Sequence, residues 1–323
     1  MVLNGKPLAV TEATRQRVIR AAAELQYTPN AMTLALRRGR TNTIGFAFAL
    51  QRPHTNAFAG AVFDGLRTGA AEAGYDVLVY RVPPAGSAAV EPAALLDGRA
   101  DAVVLWPNQL TAPLKRLARA AQPAVAILTD GAPPGVGQVN VDHDLLAQLL
   151  VEHLTALGHR RAGFVFEHPT RPLHLQERLA ALRAAGAARG LEIVEGEAED
   201  AEQAARLLTR WHDGGAPSRI TAVLASYERL VPCITAGAGQ AGLRLPDDVS
   251  LATTEAFQVA GAARLDGTTA VVLPVWDVGR QAALDAAALV EGGAPQRRRL
   301  PVQLVTGRST GSVGRGSGRG GSR

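Results

Sequence analysis

From Thr41 onward, short apolar runs alternate with longer stretches of helical periodicity, and the rhythm restarts once, after Val141-Asp142. Strands are predicted at Ile44 to Leu50 and near 76–80, 101–106 and 124–128, with helices near 58–73, 88–97 and 110–121. The second series predicts helices at 144–157, 175–189, 201–211 and 228–241 among strands at 162–166, 191–194, 221–225 and 249–253. Such alternation implies a parallel sheet covered by helices on both faces. Two α/β lobes in series are therefore expected. A ligand of such a pair sits in the cleft between the carboxyl ends of the two sheets.

At 323 residues the chain exceeds one ordinary core, so two domains and a smaller appendage are expected. Apolar residues make up 47% and aromatics only 4%, a composition that packs through Ala, Leu and Val and argues against single-strand binding by base stacking. Cys233 is the only cysteine. No intramolecular disulfide can form, no Cys/His spacing suits structural zinc, and a buried inert thiol is expected. The sequence holds no uninterrupted apolar run of membrane-spanning length and no basic start followed by an apolar run. The expectation is a soluble cytoplasmic protein with no cofactor, no metal and no membrane partner.

Charge is distributed unevenly. Lys6, Arg15, Arg17, Arg20, Arg37, Arg38 and Arg40 face only Glu12 and Glu24 in the first 40 residues, which accounts for the whole formal charge of +5. The tail from Arg308 adds Arg315, Arg319 and Arg323 without an acid, leaving a mildly acidic body between two basic ends. Clustered guanidinium fields add along a phosphate backbone, so the ends point to nucleic acid. A solvated basic helix is the alternative.

Within this segment, Thr11 to Gln26 opens on a capping threonine and spaces Val18, Ala21, Ala22 and Leu25 along one helical face. Tyr27-Thr28-Pro29 breaks that helix and pre-sets the next, from about Asn30 to Arg38, which Gly39 ends. The last residues, GSVGRGSGRGGSR, read as a flexible basic tail. Gly237 to Gly242 spells GxGxxG but closes a helical stretch, whereas a dinucleotide site needs it directly after a strand. His153, His159, His168 and His174 form no metal pair, no GxSxG elbow or Walker loop occurs, and no enzyme is expected.

The segments VLNGKPLAVTEATRQRVIRAAAELQYTPN (2–30), TNTIGF (41–46), HLTALGHRRAGFVF (153–166), QERLAALRAAGAARGL (176–191) and GLRLPDDVSLATTE (242–255) resemble the LacI/GalR family of bacterial transcription regulators. The resemblance implies an α/β, two-lobed periplasmic-binding-protein-like core, preceded by a partial all-α helix-turn-helix headpiece and a hinge helix. It implies a headpiece over 1–40 and an effector-binding core over 41–311. The first lobe would hold about 41–142 and 274–297, the second about 143–273 and 298–311, with a disordered tail over 312–323. Family members begin about twenty residues earlier, with most of the recognition helix that enters the major groove. The expectation is a chain start assigned too late, or else the loss of direct base reading.

Operator DNA is the implied partner of Asn4, Thr14, Tyr27, Asn30, Met32, Thr33, Leu36 and Arg37. Leu36 aligns with the leucine that wedges into the minor groove in relatives, and apolar wedges unstack and widen such steps. An eight- or nine-residue helix is marginal alone, so it is expected to form only when two copies pack on DNA. A homodimer, or a tetramer, follows from that. The implied effector contacts are Phe58, Trp106, Asp130, Asp142, Arg178, Ser226, Tyr227 and Glu255.

The pattern also departs from the family. Asn56-Ala57-Phe58 stands for Asn-Pro-Phe, Ser226-Tyr227 for Asn-Asp, and Thr254-Glu255-Ala256 for Phe-Asp-Asp. Phe58 still offers a face for ring stacking, Arg178 a bidentate donor, and Glu255 an acceptor for hydroxyls. The expected function is an effector-responsive repressor of a carbohydrate or related catabolic operon. A small-molecule binding protein that has lost specific DNA binding, and an NAD-dependent dehydrogenase, are the alternatives.

Overall fold

The computed structural model describes residues 10–28, 30–48, 57–80, 92–106, 111–167, 172–214, 218–257 and 267–313. Asn4, Leu50, Asn56, His168 and the tail from 314 lie outside them.

Two helices lead the chain, α1 (Glu12–Glu24) and α2 (Ala31–Arg38). Thr11 caps α1, and its hydroxyl accepts from the Thr14 amide. Asn30 caps α2 through the Thr33 amide, and Gly39, in the left-handed region, ends it. The helix α2 is formed in the single chain, where the sequence suggested that it waits for a partner on DNA. A cap at each end supplies hydrogen bonds that nucleation alone lacks.

Two six-stranded sheets follow. The first contains β1 (Thr43–Phe48), β2 (Asp76–Val79), β3 (Ala102–Trp106), β4 (Ala124–Ile127), β5 (Gly137–Val141) and β11 (Arg297–Leu300), in the order β11-β5-β4-β3-β1-β2, all parallel. The second contains β6 (Arg161–Phe166), β7 (Glu192–Glu197), β8 (Ala222–Ala225), β9 (Ser250–Phe257), β10 (Thr269–Leu273) and β12 (Gln303–Val305), in the order β12-β10-β9-β8-β6-β7, with only the β10–β12 pair antiparallel. The central strands are buried along nearly their whole length, as helices on both faces require.

Helices α3 (Ala57–Glu72), α4 (Thr111–Arg119) and α9 (Val275–Val290) belong to the first lobe. The second holds α5 (His143–Ala156), α6 (Leu173–Arg189), α7 (Ala201–His212) and α8 (Val231–Gln240). Between 88 and 97 only a short 3-10 turn, Pro92–Leu96, stands within the described residues in place of a predicted helix. The predicted helix at 228–241 divides into a 3-10 turn, Glu228–Leu230, and α8, because Pro232 sits at the start of the latter.

The chain passes between lobes at Asp142, at Pro274 and between Leu300 and Val302. Strand β11 pairs with β5 through Leu300, so the stretch returning to the first lobe continues past 297. The C-terminal segment is also held further than composition suggested. The Gly311 carbonyl faces His159 and Ser250, and the Val313 amide donates to the Leu157 carbonyl at 2.9 Å. The tail expected from 312 is therefore ordered at least through Val313, tied by backbone and buried side-chain hydrogen bonds.

Three glycines weld α3 to α9. A Cβ at Gly65 would lie 1.9 Å from the Trp276 carbonyl oxygen, at Gly69 2.3 Å from that of Arg280, and at Gly279 2.0 Å from that of Val62. The two helix backbones touch.

Candidate effector cleft and DNA-facing segment

The strands of both sheets end toward one another, and their last residues supply an aromatic wall. Phe48 closes β1 and Trp106 closes β3, their rings stacked with centroids 6.4 Å apart. Phe58, in the first turn of α3, packs against Trp106 at 5.5 Å and edge-on against Phe257, the last residue of β9, also at 5.5 Å. Phe58 is thus buried between the lobes rather than a solvent-facing platform.

The second lobe holds a buried ion pair. Arg178, from α6, is 1% exposed and donates through Nη2 to Glu255 of β9 at 3.2 Å. Its Nη1 donates to the Ser226 carbonyl at 3.0 Å and to the Thr254 hydroxyl at 3.1 Å. A solvent-exposed salt bridge, the plain alternative for Arg178, is excluded by that burial. Desolvation pushes the Glu255 carboxyl up while the guanidinium opposes it.

Tyr227 follows Ser226 at the end of β8. Arg229 stacks over its ring at 4.1 Å and forms a two-pronged pair with Glu167 at 2.7 Å for each contact. Burial raises the Tyr227 phenol, which stays protonated and shares a hydrogen bond with His174 Nε2 at 3.2 Å. Burial together with Arg178 and Arg229 holds the His174 imidazole down at about 3, so it is neutral.

A second polar group joins the lobes. Glu177, beside Arg178 on α6, accepts from the Thr129 hydroxyl at 3.2 Å, the Asp130 amide at 2.8 Å and the Asn140 side chain at 3.3 Å. Burial raises its carboxyl. Leu128, at φ +56, turns the chain out of β4 so that Thr129 and Asp130 meet this carboxylate. Asp130 accepts from Gln138 at 2.8 Å and Asn140 at 3.1 Å, and pairs with Arg299 at 2.8 Å. His143, buried at the start of α5, lies 3.8 Å from Glu177, and desolvation holds it neutral.

Of the residues that sequence assigned to the effector, seven gather here: Phe58, Trp106, Asp130, Arg178, Ser226, Tyr227 and Glu255. Asp142 has a different duty, since its carboxylate caps α5 by accepting from the Leu145 amide at 2.9 Å. Sequence reasoning passed over Phe48, Phe257, Glu177, Asn140, His143 and Arg229. Glu177 stood next to Arg178 in QERL, but helical spacing gave no sign that its side chain crosses to the other lobe.

Several buried polar atoms of this region have no hydrogen-bond partner among the described residues: Trp106 Nε1, Arg178 Nε, Ser226 Oγ and both His143 nitrogens. Buried polar groups are ordinarily paired. Among the described residues no cluster of His, Cys, Asp and Glu could hold a metal ion.

At the other end of the first lobe, α2 presents Leu36 at 87% exposure and Met32 at 75%, and Tyr27 precedes it at 59%. Asn30 and Thr33 form the cap of α2, and Thr14 sits in the first turn of α1, its hydroxyl 3.0 Å from that of Thr11. Arg37 and Arg38 occupy the last turn of α2. No residue of α1 is buried, and its stripe leaves Val18 and Leu25 exposed.

The linker behind α2 is clamped. Arg40 pairs with Glu291 and donates to the Val290 carbonyl at 3.1 Å, both at the end of α9. Asp101, just before β3, accepts from the Thr41 amide and hydroxyl and from the Asn42 amide.

Residues 151–310 match the family model of a periplasmic binding protein-like domain. Over 320 residues, 95% of this chain and 91% of its relative, the sequence is 26% identical to the HTH-type transcriptional regulator KdgR of Bacillus subtilis. A LacI transcriptional regulator from a Rhodococcus species superposes with a TM-score of 0.67 at 25% identity, covering 84% of this chain and 99% of that one. The chain is therefore similar, in sequence and in fold, to LacI-family transcription regulators. A cellobiose complex of the regulator CelR has the same fold, with a TM-score of 0.67 at 24% identity over 95% of this chain and 94% of that one. The chain thus joins a region whose buried donors lack a partner among the described residues to an exposed basic helix. Among its described residues, no helix is long and apolar enough to cross a membrane.

Proposed function

We propose that the protein is an effector-responsive transcription regulator that represses a carbohydrate or related catabolic operon. It acts as a homodimer in the cytoplasm. A small molecule held between the lobes sets the spacing of two copies of α2, and that spacing decides operator affinity. Leu36 enters the minor groove, Arg37 lies along the phosphates, and Asn4, Thr14, Tyr27, Asn30, Met32 and Thr33 complete the DNA contacts. Phe58, Trp106, Asp130, Arg178, Ser226, Tyr227 and Glu255 surround the effector, and Asp142 fixes the helix beside it.

The observation that most supports this reading is the exposure of Leu36. An apolar side chain 87% exposed, with Arg37 and Arg38 directly after it, suits a groove whose walls are phosphates. The clamped linker supports the coupling, since α9 begins at a lobe crossing, at Pro274, and ends beside Arg40. Family regulators named above carry the same architecture, and CelR is described with cellobiose bound.

Enrichment of a random duplex library on the purified chain, followed by anisotropy titration at several salt concentrations, tests the reading. With about eight phosphate contacts in a dimer, log affinity falls against log salt with a slope near −7. A flat salt response, or no enriched duplex, overturns the proposed DNA contact.

A further inference from the structure

Among the described residues, the arginines of the cleft are already paired. Arg178 contacts Glu255 at 3.2 Å, Arg229 contacts Glu167 at 2.7 Å, and Arg299 contacts Asp130 at 2.8 Å. Among the described residues, each guanidinium placed along this region has a carboxylate against it. Glu177 adds a further carboxylate whose basic contact, the His143 ring at 3.8 Å, is held neutral by burial. Among the described residues an anionic ligand entering here would meet no unmatched guanidinium and would add like charge in a poorly solvated space.

Beyond the neutral His143 ring, which offers one donor and one acceptor, the atoms left unpaired here can all donate. Trp106 Nε1 and Arg178 Nε carry N–H donors, and Ser226 Oγ offers a donor or an acceptor. Both Arg178 and Ser226 are more than nine-tenths buried. Beside them stands the aromatic wall of Phe48, Phe58, Trp106 and Phe257. Donors next to a flat apolar surface suit oxygen acceptors on the edge of a ring whose face is apolar.

We propose that the cleft selects an uncharged, ring-shaped ligand presenting oxygen acceptors beside an apolar face, and that the carboxylates on Arg178 and Arg229 exclude its carboxylated and phosphorylated counterparts. Glu255 and Glu167 are then specificity-determining residues: each occupies the guanidinium face that an acid would otherwise claim. The inference rests on the cleft being the effector site, as proposed above, and on nothing about DNA.

Thermal unfolding of the full chain at matched ionic strength provides the test. The probes are three pairs, cellobiose with cellobionate, ribose with ribose 5-phosphate and uridine with its 5′-monophosphate, together with inorganic phosphate. For the wild type, any shift of about 2 °C or more should come from an uncharged member. The acids and phosphate should leave it where sodium chloride does. Glu255→Gln removes the charge from the partner of Arg178, and this variant should gain a shift with at least one acid. Should that variant fail to fold, Glu167→Gln frees the half-exposed Arg229 instead and should show the same gain. Stabilisation of the wild type by an acid or by phosphate overturns the inference, and so does the lack of any gain in the folded variants. Because the DNA titration is read separately, a chain that grips duplex but favours acids sinks this inference alone.

Discussion

One oxygen of the Asp101 carboxylate accepts both the amide and the hydroxyl of Thr41, at 2.7 and 3.0 Å. The other oxygen takes the Asn42 amide at 2.7 Å, so a single side chain fixes the exit from α2 onto β1. The same residue precedes β3, whose far end is Trp106 in the cleft.

Asp101→Ala should therefore loosen the link between cleft and α2. Losing three hydrogen bonds to one charged group costs about 1–3 kcal/mol, visible as a lower urea midpoint. Operator affinity should fall while ligand affinity at the cleft stays within about twofold, a ratio of about 0.4 kcal/mol. Equal weakening of both would show that Asp101 serves only the fold.

Leu36→Ala should weaken duplex binding by about tenfold, or about 1.4 kcal/mol. The side chain is 87% exposed, so the thermal midpoint should not move. Anisotropy and calorimetry on the same preparation check the two halves of this expectation. A lowered midpoint would mean that Leu36 supports packing.

Arg178 and Glu255 should prove strongly coupled. Arg178→Met leaves the Glu255 carboxyl buried with its guanidinium gone, at a cost of about 3–5 kcal/mol. Replacing both by methionine should recover much of that stability and still abolish ligand binding. Strictly additive losses in urea melts would show that the two side chains act separately.

Stability should fall as pH drops below about 6.5. His159 is 2% exposed, with Thr221 on one ring nitrogen and Ser250 and the Gly311 carbonyl on the other, and burial lowers it to about 4. His174 is lowered to about 3. A depressed imidazole binds its proton in the unfolded chain first, so unfolding takes up protons between those values and the unfolded value of 6.5. Each such group contributes a slope of up to about 1.4 kcal/mol per pH unit across its window, with stability retained above it. Urea midpoints at stepped pH check this, and His159→Gln should flatten the slope. An unchanged slope would place the proton uptake elsewhere.

Gly65→Ala should destabilise at the upper end of the range of about 1–3 kcal/mol for overpacking, because its new methyl would meet the Trp276 backbone. Gly60→Ala is the control. Nothing lies within 4 Å of its position, and on α3 it should stabilise by up to about 1 kcal/mol. Similar behaviour of both variants would contradict the close approach of α3 and α9.

The two-lobed architecture was legible because continuous apolar runs such as Ile44–Phe46 and Val103–Leu105 admit little but a doubly covered parallel sheet. Local signals also served well at Thr11, Asn30 and Gly39, where one residue type performs one backbone task. Asp142 was less legible, since a residue at a strand end looks alike whether it caps the next helix or faces a ligand, and here it caps α5. Glu177 and Phe257 escaped notice because each acts across the cleft, and no spacing along one segment records a contact made with another. The same holds for β11, whose three successive arginines carry no strand pattern, although Arg297 reaches Gln138 and the Ala132 carbonyl, Arg298 reaches Asp285, and Arg299 reaches Asp130.

The contact of α3 with α9 at Gly65, Gly69 and Gly279 has a mechanical consequence. Helices whose main chains abut cannot slide past one another by small side-chain adjustments, so internal shear within the first lobe is blocked. Any displacement that begins at Pro274 must then be delivered undiminished to Glu291 and Arg40. The lobe works as a stiff lever, and its compliance is concentrated in the three short crossings between the lobes.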